Sequence, residues 1–151
     1  MRELTINEFR FYLDRGITAE TAEKALNRAC LIVENDAKKR CPVGRTGLLR
    51  NSIQHRVERE WQEYAGVVGT NVEYAPYVEF GVGVYSANGD GRQTPWVYPT
   101  ADGEFVYVHN DGRETEAKSY GPRPFLEPAL VENINEVKAE ILETIKGELF
   151  Q

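Results

Sequence analysis

Residues 18–40 read TAETAEKALNRACLIVENDAKKR, and this stretch has the apolar spacing of a long amphipathic helix. Its apolar side chains recur at intervals of three and four, at Ala22, Ala25, Leu26, Ala29, Ile32, Val33 and Ala37. Such spacing places them on one helix face. Thr18 is suited to cap the N-terminus, because its hydroxyl can accept a hydrogen bond from the first turn. Pro42 predicts an end near Arg40. We therefore predict a helix from about Thr18 to Arg40.

A second long helix is predicted near the C-terminus. Residues 126–149 read LEPALVENINEVKAEILETIKGEL, and an apolar stripe at helical spacing runs through Leu130, Ile134, Val137, Ile141, Ile145 and Leu149. The glutamates Glu132, Glu136, Glu140 and Glu143 lie off this stripe. Pro128 suits the first turn, where its missing N–H leaves no hydrogen bond unmade. The prediction is one continuous helix from about Leu126 to Leu149.

The segment after the first helix is rich in turn formers and then in strand formers. CPVGRTGLL (41–49) contains a proline and two glycines, which is typical of a turn. Residues 50–60 and 64–72 are predicted as two strands, because YAGVVGTNV in particular favours β-structure. WQEY (61–64) would form the tip of the hairpin between them.

Two shorter elements complete the predicted frame. Residues 1–15 alternate in part between apolar and polar side chains, which indicates a short strand. EYAPYVEFG (73–81) suits a single helical turn, with Pro76 near its start and Gly81 at its end. Its three aromatics, Tyr74, Tyr77 and Phe80, would share one packed face. The pattern predicts an α+β fold: a long N-terminal helix and a long C-terminal helix packed on an antiparallel β-sheet.

Residues 82–120 are predicted as an extended loop or hairpin within a single domain spanning residues 1–151. NGDGRQTPW, ADGE and NDGRE each carry a turn signal. PWVYP (95–99) and EFVYVH (104–109) suit a two-stranded hairpin that turns at Asp102-Gly103. The excursion is long enough to reach a partner, and Trp96, Tyr98 and Tyr107 are its candidate interface residues.

Composition excludes several classes of protein. The chain has 18 Lys and Arg against 24 Asp and Glu, a net charge of −6, which argues against nucleic-acid binding. No apolar run approaches the roughly 20 residues of a membrane span. The N-terminal stretch carries Glu3, Glu8 and Asp14, so it lacks the apolar core of a signal peptide. The expected compartment is the cytoplasm.

The two cysteines, Cys30 and Cys41, are predicted to be reduced and to pack in the core. On one helix they would lie about 16 Å apart along its axis. A disulfide needs Cα atoms within about 7 Å.

No residue pattern indicates a catalytic, cofactor or metal site. His55 and His109 lack the spacing of metal ligands. Ser52 precedes His55 by three residues, which on a strand places the two on opposite faces. GVGVYSANGDG has glycines but not the Lys-Ser/Thr pair of a phosphate loop.

One alternative with enzymatic activity stays open. Glu73 and Glu79 flank the aromatic cluster, and a carboxylate pair can hydrolyse a glycosidic bond. The chain would then be a small hydrolase. The competing interpretation is that one glutamate is exposed and the other bonds backbone amides.

Residues 38–59 form a basic segment in an acidic chain, and they suggest a subunit interface. The candidate cations are Lys38, Arg45, Arg50 and Arg56. An acidic partner could be the C-terminal helix of a neighbouring subunit, through Glu136 and Glu140. The alternative interpretation is a solvated face.

Three pieces of the sequence, taken in order, carry a family resemblance. They are CPVGRTGLLRNSI (41–53), GTNVEYAPYVEFG (69–81) and GPRPFLEPAL (121–130). Together they resemble the tail-component family of long-tailed bacteriophages and prophages, the tail-completion or head–tail joining proteins, including members similar to the lambda minor tail protein Z. The positions that carry the pattern are Thr46, Gly47, Tyr74, Pro76, Tyr77, Glu79, Phe80, Gly81, Pro124, Phe125 and Pro128.

The resemblance implies a virion structural protein without enzymatic activity. It implies a homo-oligomeric ring, expected to be a hexamer, at the neck where the tail joins the head. The expected neighbours are a head-completion or connector protein and a tail terminator or tail tube protein. Genomic DNA would pass without specific binding, which the net charge of −6 suits. The protein would lie in the tail or neck of the virion, and in the host cytoplasm during assembly. A tail terminator is the alternative within this class.

Overall fold

The computed structural model describes residues 4–12, 17–61, 63–81, 87, 96–99, 105–108 and 122–150. The chain divides into two compact units, Met1–Glu73 with Phe125–Gln151, and Tyr74–Pro124. In chain order the described elements are β1 (Leu4–Tyr12), α1 (Ala19–Arg40), α2 (Leu48–Ser52), β2 (Gln54–Glu60), β3 (Glu63–Thr70), α3 (Ala75–Phe80), β4 (Trp96–Pro99), β5 (Phe105–Val108), α4 (Glu127–Val131) and α5 (Ile134–Leu149). The α+β class is confirmed, with a long helix towards each end of the chain.

The first unit contains a three-stranded antiparallel sheet in the order β1–β3–β2. β3 lies in the middle, and every residue from Tyr64 to Thr70 is buried. Since successive side chains of a strand point to opposite faces, this burial means that both faces of β3 are covered. β2 and β3 form a hairpin in which Glu60 pairs with Glu63, so the predicted hairpin is confirmed.

Helix α1 organises the first unit. It packs against β2, β3, α4 and α5. The apolar stripe predicted for it is buried apart from Ile32, which is half-buried, and Thr18 caps it by accepting a hydrogen bond from the backbone N–H of Thr21. Ion pairs join Lys24 to Glu148 at one end of the helix and Arg40 to Glu132 at the other, so α1 and the C-terminal helices run antiparallel.

The core lies between α1, the sheet and the C-terminal helices. Its large apolar members include Leu26, Val33, Leu49, Ile53, Tyr64, Val68, Phe125, Leu126, Val137 and Ile141. Burying a side chain of this size contributes about 1.5–3 kcal/mol to stability. Cys30 and Cys41 are buried free thiols, as predicted.

The predicted strand 50–60 is wrong in its first part. Leu48–Ser52 forms the short helix α2, and the strand begins at Gln54. Gly47 adopts a left-handed conformation, with φ of 63°, and its carbonyl accepts a hydrogen bond from the N–H of Asn51. Leu49 on α2 and Ile53 directly after it are both buried in the core.

The predicted continuous C-terminal helix is also wrong, because it breaks into α4 and α5. Asn133 stands at the break, where its side-chain amide donates to the carbonyl of Ala129 and to the carboxylate of Asp36 on α1. An asparagine that bonds nearby backbone in this way competes with the helical hydrogen bonds. The buried face of α5 therefore differs from the predicted apolar stripe, since Thr144 is buried and Leu149 is exposed.

The second unit contains α3 and the β4–β5 hairpin. β4 and β5 pair antiparallel, with Trp96 opposite Val108 and Val97 opposite Tyr107, so the two predicted strands are confirmed. Their predicted turn at Asp102-Gly103 lies outside the described residues. The predicted single domain over residues 1–151 stays a prediction.

Candidate functional site

The turn between α1 and α2 carries the first piece of the family pattern. The N–H of Cys41 donates to the carbonyl of Ala37 and ends α1. A second turn closes where the N–H of Gly47 donates to the carbonyl of Gly44, at 3.2 Å. The Thr46 hydroxyl accepts a hydrogen bond from the N–H of Leu48, at 3.4 Å. Thr46 and Gly47 therefore shape the turn.

We define the basic turn as residues 39–50, which this backbone presents to solvent. Its exposed cations are Lys39, Arg45 and Arg50, none of which forms an ion pair with another described residue. Val43 and Leu48 are 56% and 55% exposed. Buried Cys41 and Leu49 hold the two ends of the turn in the core. The turn therefore exposes two apolar side chains and three cations to solvent.

The corner at residues 74–81 carries the second piece of the pattern. The carbonyl of Tyr74 accepts hydrogen bonds from the N–H groups of Tyr77 and Val78, and Pro76 lies in the first turn. Gly81 ends the helix with φ of 78°. The predicted helical turn is thus confirmed. Tyr74 and Tyr77 are exposed, however, and Phe80 is half-buried, so the prediction of a packed aromatic face is wrong for the two tyrosines.

Glu79 and Ala75 are the buried side chains of this corner. Glu79 is 1% exposed, and among the described residues no buried side-chain nitrogen or oxygen lacks a hydrogen-bond partner. Further along, the carbonyl of Val78 accepts a hydrogen bond from the N–H of Arg123, at 2.8 Å. This bond joins the start of the second unit to its end. At this corner, Ala75 and Glu79 are therefore buried, whereas Tyr74 and Tyr77 are exposed to solvent.

The third piece of the pattern begins the C-terminal helices. Phe125 and Leu126 are fully buried, while Pro124 is exposed and Pro128 is half-buried. The carbonyl of Leu126 accepts a hydrogen bond from the N–H of Leu130, at 3.2 Å. Phe125 and Leu126 anchor α4 in the core of the first unit.

The burial of Glu79 argues against the hydrolase. A glycosidase needs two carboxyl groups that both reach the sugar. Glu73 is exposed, but Glu79 has almost no contact with solvent. Ser52 and His55 do not act together either, since Ser52 bonds to the Thr70 hydroxyl and His55 bonds to Glu34. In the described part of the chain, no group of three or more His, Cys, Asp or Glu could hold a metal ion.

Ion pairs within the chain involve one of the two predicted acidic interface residues and two of the four predicted cations. Glu140 pairs with Arg28 of α1 at 3.6 Å, and Glu132 and Glu148 pair with Arg40 and Lys24. Lys38 pairs with Glu34 one helical turn away, at 2.5 Å. Arg56 pairs with Glu58 on β2, at 2.6 Å. Of the remaining candidates, Glu136 is exposed, and Trp96, Tyr98 and Tyr107 lie on β4 and β5.

One partly buried polar cluster was missed from the sequence. Glu34 of α1 bonds through its two carboxylate oxygens to Lys38 and to Nδ1 of His55 on β2. Burial would raise the pKa of Glu34, but hydrogen bonds and charges from Lys38 and His55 hold it below its ordinary value. Burial, and then the charge of Glu34, raise the pKa of Cys30 to about 12. The signal in the sequence was the position of Glu34 among Cys30, Val33 and Ala37 on the apolar face.

A second missed feature is Trp61, at the tip of the β2–β3 hairpin. Its side chain is 91% exposed. The sequence predicted a hairpin tip there but assigned it no role. Hairpin tips favour Asn and Gly, so a tryptophan in WQEY was itself the signal.

No helix in the described ranges combines the length and apolar character needed to cross a membrane. Comparison with known proteins gives a family match: residues 7–81 match the family described as "Bacteriophage HK97-gp10, putative tail-component". The matched region, about half of the chain, contains α1, α2, β2, β3 and α3 and most of β1. No curated protein and no solved structure matches.

Proposed function

Because the chain belongs, through its residues 7–81, to the HK97-gp10-like family of bacteriophage tail components, we propose that it completes or joins the tail at the head–tail interface. A tail component is a structural part of the virion. The proposal also includes a position at the neck of the virion, a ring-shaped assembly and the neighbouring proteins named below. The family match is the observation that carries it.

The arrangement of the described residues supports a structural role. The buried carboxylates Glu34 and Glu79 are engaged inside the protein, so the pair Glu73 and Glu79 does not offer two accessible acids to a substrate. Some exposed side chains are of the kind found in protein interfaces: aromatic residues at Tyr74, Tyr77 and Trp61, and arginines at Arg45 and Arg50.

The proposed assembly is a homo-oligomeric ring, specifically a hexamer. A head-completion or connector protein binds one side of it, and a tail terminator or tube protein binds the other. Genomic DNA passes through the ring without specific binding, which suits a net charge of −6. Assembly takes place in the host cytoplasm. A ring whose channel is lined mainly with Lys and Arg would contradict the proposed passage of DNA.

Labelling the virion tests the position directly. Phe150, the last described residue, is 84% exposed, so a short peptide tag after Gln151 should leave the fold intact. Gold particles that recognise the tag should appear at the junction of head and tail in electron micrographs. Matched particles with an untagged chain control for non-specific gold. Label along the tail tube, at the distal tip or only on free protein would contradict the proposed position.

A further inference from the structure

The outer edge of strand β2 is open in the described part of the chain. β3 pairs with β1 on one side and with β2 on the other, so β2 ends the described sheet. Of the seven residues Gln54–Glu60, five are exposed and the other two are half-buried. An edge strand presents a row of backbone N–H and C=O groups with which a further strand can pair. β2 is therefore accessible to such a strand.

The hairpin register determines which backbone groups of β2 point outward. Glu60 pairs with Glu63 across a two-residue turn, and the pair that closes such a turn exchanges both hydrogen bonds. The pairing with β3 then continues without a bulge to the start of β2. Since hydrogen-bonded pairs alternate along a strand, the even-numbered residues of β2 bond to β3. His55, Val57 and Arg59 therefore direct their N–H and C=O groups outward.

The charges of β2 limit how it can pair with a second copy of itself. In an antiparallel pair with a two-fold axis, the residue at the axis lies opposite itself. An axis at Arg56, Glu58 or Arg59 would place that charged residue against its own copy, which destabilises a strand pair. An axis at His55 overlaps only residues 54–56, and one at either end of the strand overlaps a single residue. These registers do not suit a stable contact.

An axis at Val57 avoids these conflicts. It overlaps the whole of β2, and it places Val57 opposite itself and Arg56 opposite Glu58 of the other copy. By alternation, Arg56 and Glu58 then form a non-hydrogen-bonded pair, the kind in which facing side chains lie closer together. Opposite charges in these positions stabilise a strand pair. β2 is thus complementary to itself in this register.

The match of signs does not depend on a charge that lacks a partner within its own chain. Arg56 and Glu58 already form an ion pair at 2.6 Å on the exposed face of β2. With the axis at Val57, two such pairs lie side by side, so neither has to break. On the other face, Arg59 of one copy lies opposite His55 of the other, whose ring is bonded to the carboxylate of Glu34. That carboxylate favours the approach of the arginine, because opposite charges attract.

We propose that two copies of this chain pair through the outer edges of β2, antiparallel and with a two-fold axis at Val57. Two three-stranded sheets then join into one of six strands. Their outward residues form about six backbone hydrogen bonds, two at each hydrogen-bonded pair. Trp61, which is 91% exposed, comes level with residue 53 of the other copy, at the end of α2, and so gains partial cover from water.

This pair goes beyond the proposed function. Each copy uses the same edge, so the contact joins two copies and stops. A ring instead needs a head-to-tail contact between two different surfaces. The pair and the ring are therefore separate contacts, and each can be tested without the other.

Exchanging charges tests the register. Arg56→Glu and Glu58→Arg each place like charges opposite each other at two symmetric positions. Each should raise the dissociation constant of the pair about tenfold in analytical ultracentrifugation, while the thermal midpoint confirms that the variant folds. The double variant Arg56→Glu/Glu58→Arg should restore pairing. Lys138→Glu, which changes an exposed cation of α5, is the control and should leave pairing unchanged.

Mixing the two single variants separates this contact from effects within one chain. A copy with Arg56→Glu carries two acids, and a copy with Glu58→Arg carries two cations, so the mixture should form mixed pairs. Loss of the ion pair within each chain would give no such preference. Absence of mixed pairs would therefore overturn the proposal.

A cross-link tests the position of the axis. Hydrogen-bonded antiparallel neighbours have Cα atoms about 5.5 Å apart, which suits a disulfide. Val57→Cys should therefore form a disulfide between copies under mild oxidation, since both natural cysteines are buried. Glu60→Cys is the matched control on the same strand. Its counterpart in the other copy would lie about 20 Å away, so it should not cross-link.

The outcomes distinguish this pair from the proposed function. If folded Val57→Cys forms no cross-link, or if the unmodified protein stays as single chains at all concentrations, the pair is overturned. If the charge variants pair no differently from the unmodified protein and yet prevent tail joining, the edge binds a strand of another tail protein and the pairing of copies is overturned. Gold label away from the head–tail junction would contradict the proposed position but not the pair, which is measured on free protein.

Discussion

Glu34 on α1 and His55 on β2 form a partly buried hydrogen bond between the long helix and the edge strand of the sheet. The other carboxylate oxygen of Glu34 accepts a hydrogen bond from Lys38. The residues between them in sequence contain the basic turn, so this hydrogen bond joins the two elements that flank that turn.

The Glu34 link predicts a loss of stability at acid pH. The pKa of Glu34 is lower in the folded protein than its ordinary value of 4.5, so the folded state binds this proton more weakly than the unfolded state. The stabilisation is complete above the unfolded pKa and is lost as pH falls through the folded pKa. Glu34→Gln should therefore unfold at a lower temperature at pH 7 and should flatten the fall in thermal midpoint below about pH 4.5.

The matched control is Glu23→Gln, an exposed glutamate on the same helix. It should change neither the midpoint at pH 7 nor its pH dependence. A Glu34→Gln variant with the pH profile of the unmodified protein would show that this carboxylate does not contribute as described.

Gly47→Ala and Gly44→Ala form a second matched pair. Gly47 has φ of 63°, and although a Cβ there would meet no atom closer than 3.7 Å, the backbone itself disfavours alanine. We expect Gly47→Ala to cost about 1 kcal/mol of unfolding free energy. A Cβ on Gly44 would meet nothing within 4 Å. Gly44→Ala should be neutral or slightly stabilising in urea titrations, and equal losses for both variants would contradict this account.

The break between α4 and α5 should depend on Asn133. Its amide bonds to Asp36 at 2.7 Å and to the carbonyl of Ala129 at 2.9 Å. Asn133→Ala leaves both acceptors without this donor, so we expect a loss of about 1–3 kcal/mol in chemical denaturation. Asn135→Ala, at an exposed position two residues later, serves as the comparison and should change stability by less than about 0.5 kcal/mol. Similar losses at the two positions would show that the bond to α1 contributes little.

The thiols should be inert in the folded protein. Cys30 and Cys41 are both buried, and the raised pKa of Cys30, about 12, keeps its reactive thiolate scarce at pH 8. A colourimetric thiol reagent should label neither cysteine in native protein and both in urea. Rapid labelling of Cys30 without denaturant would contradict the packing described for α1.

The elements set by local pattern were predictable from the sequence. For α1, the apolar spacing, the Thr18 cap and Pro42 all indicate the same helix, and the structure has it at Ala19–Arg40. The single turn at 75–80 was predictable for the same reason, since Pro76 and Gly81 limit it at both ends. In each case the deciding interactions lie within a few residues of one another.

The features that sequence reasoning missed depend on distant partners. The helix break at Asn133 involves Asp36, which is 97 residues away in sequence. Glu34 can lie on the buried face of α1 because His55, on β2, forms a hydrogen bond with its carboxylate. The exposure of Tyr74 and Tyr77 was missed for a different reason. A spacing of three residues indicates that side chains share one helix face, but it does not indicate whether that face is buried or exposed.

Electron microscopy of particles made without this chain tests the central claim most directly. If the protein joins or completes the tail, filled heads and tails of normal length should accumulate separately, and adding the purified protein should produce joined, infectious virions. Tails of uncontrolled length would instead assign it the role of a terminator. Joined virions of normal appearance and infectivity in its absence would contradict the proposed function.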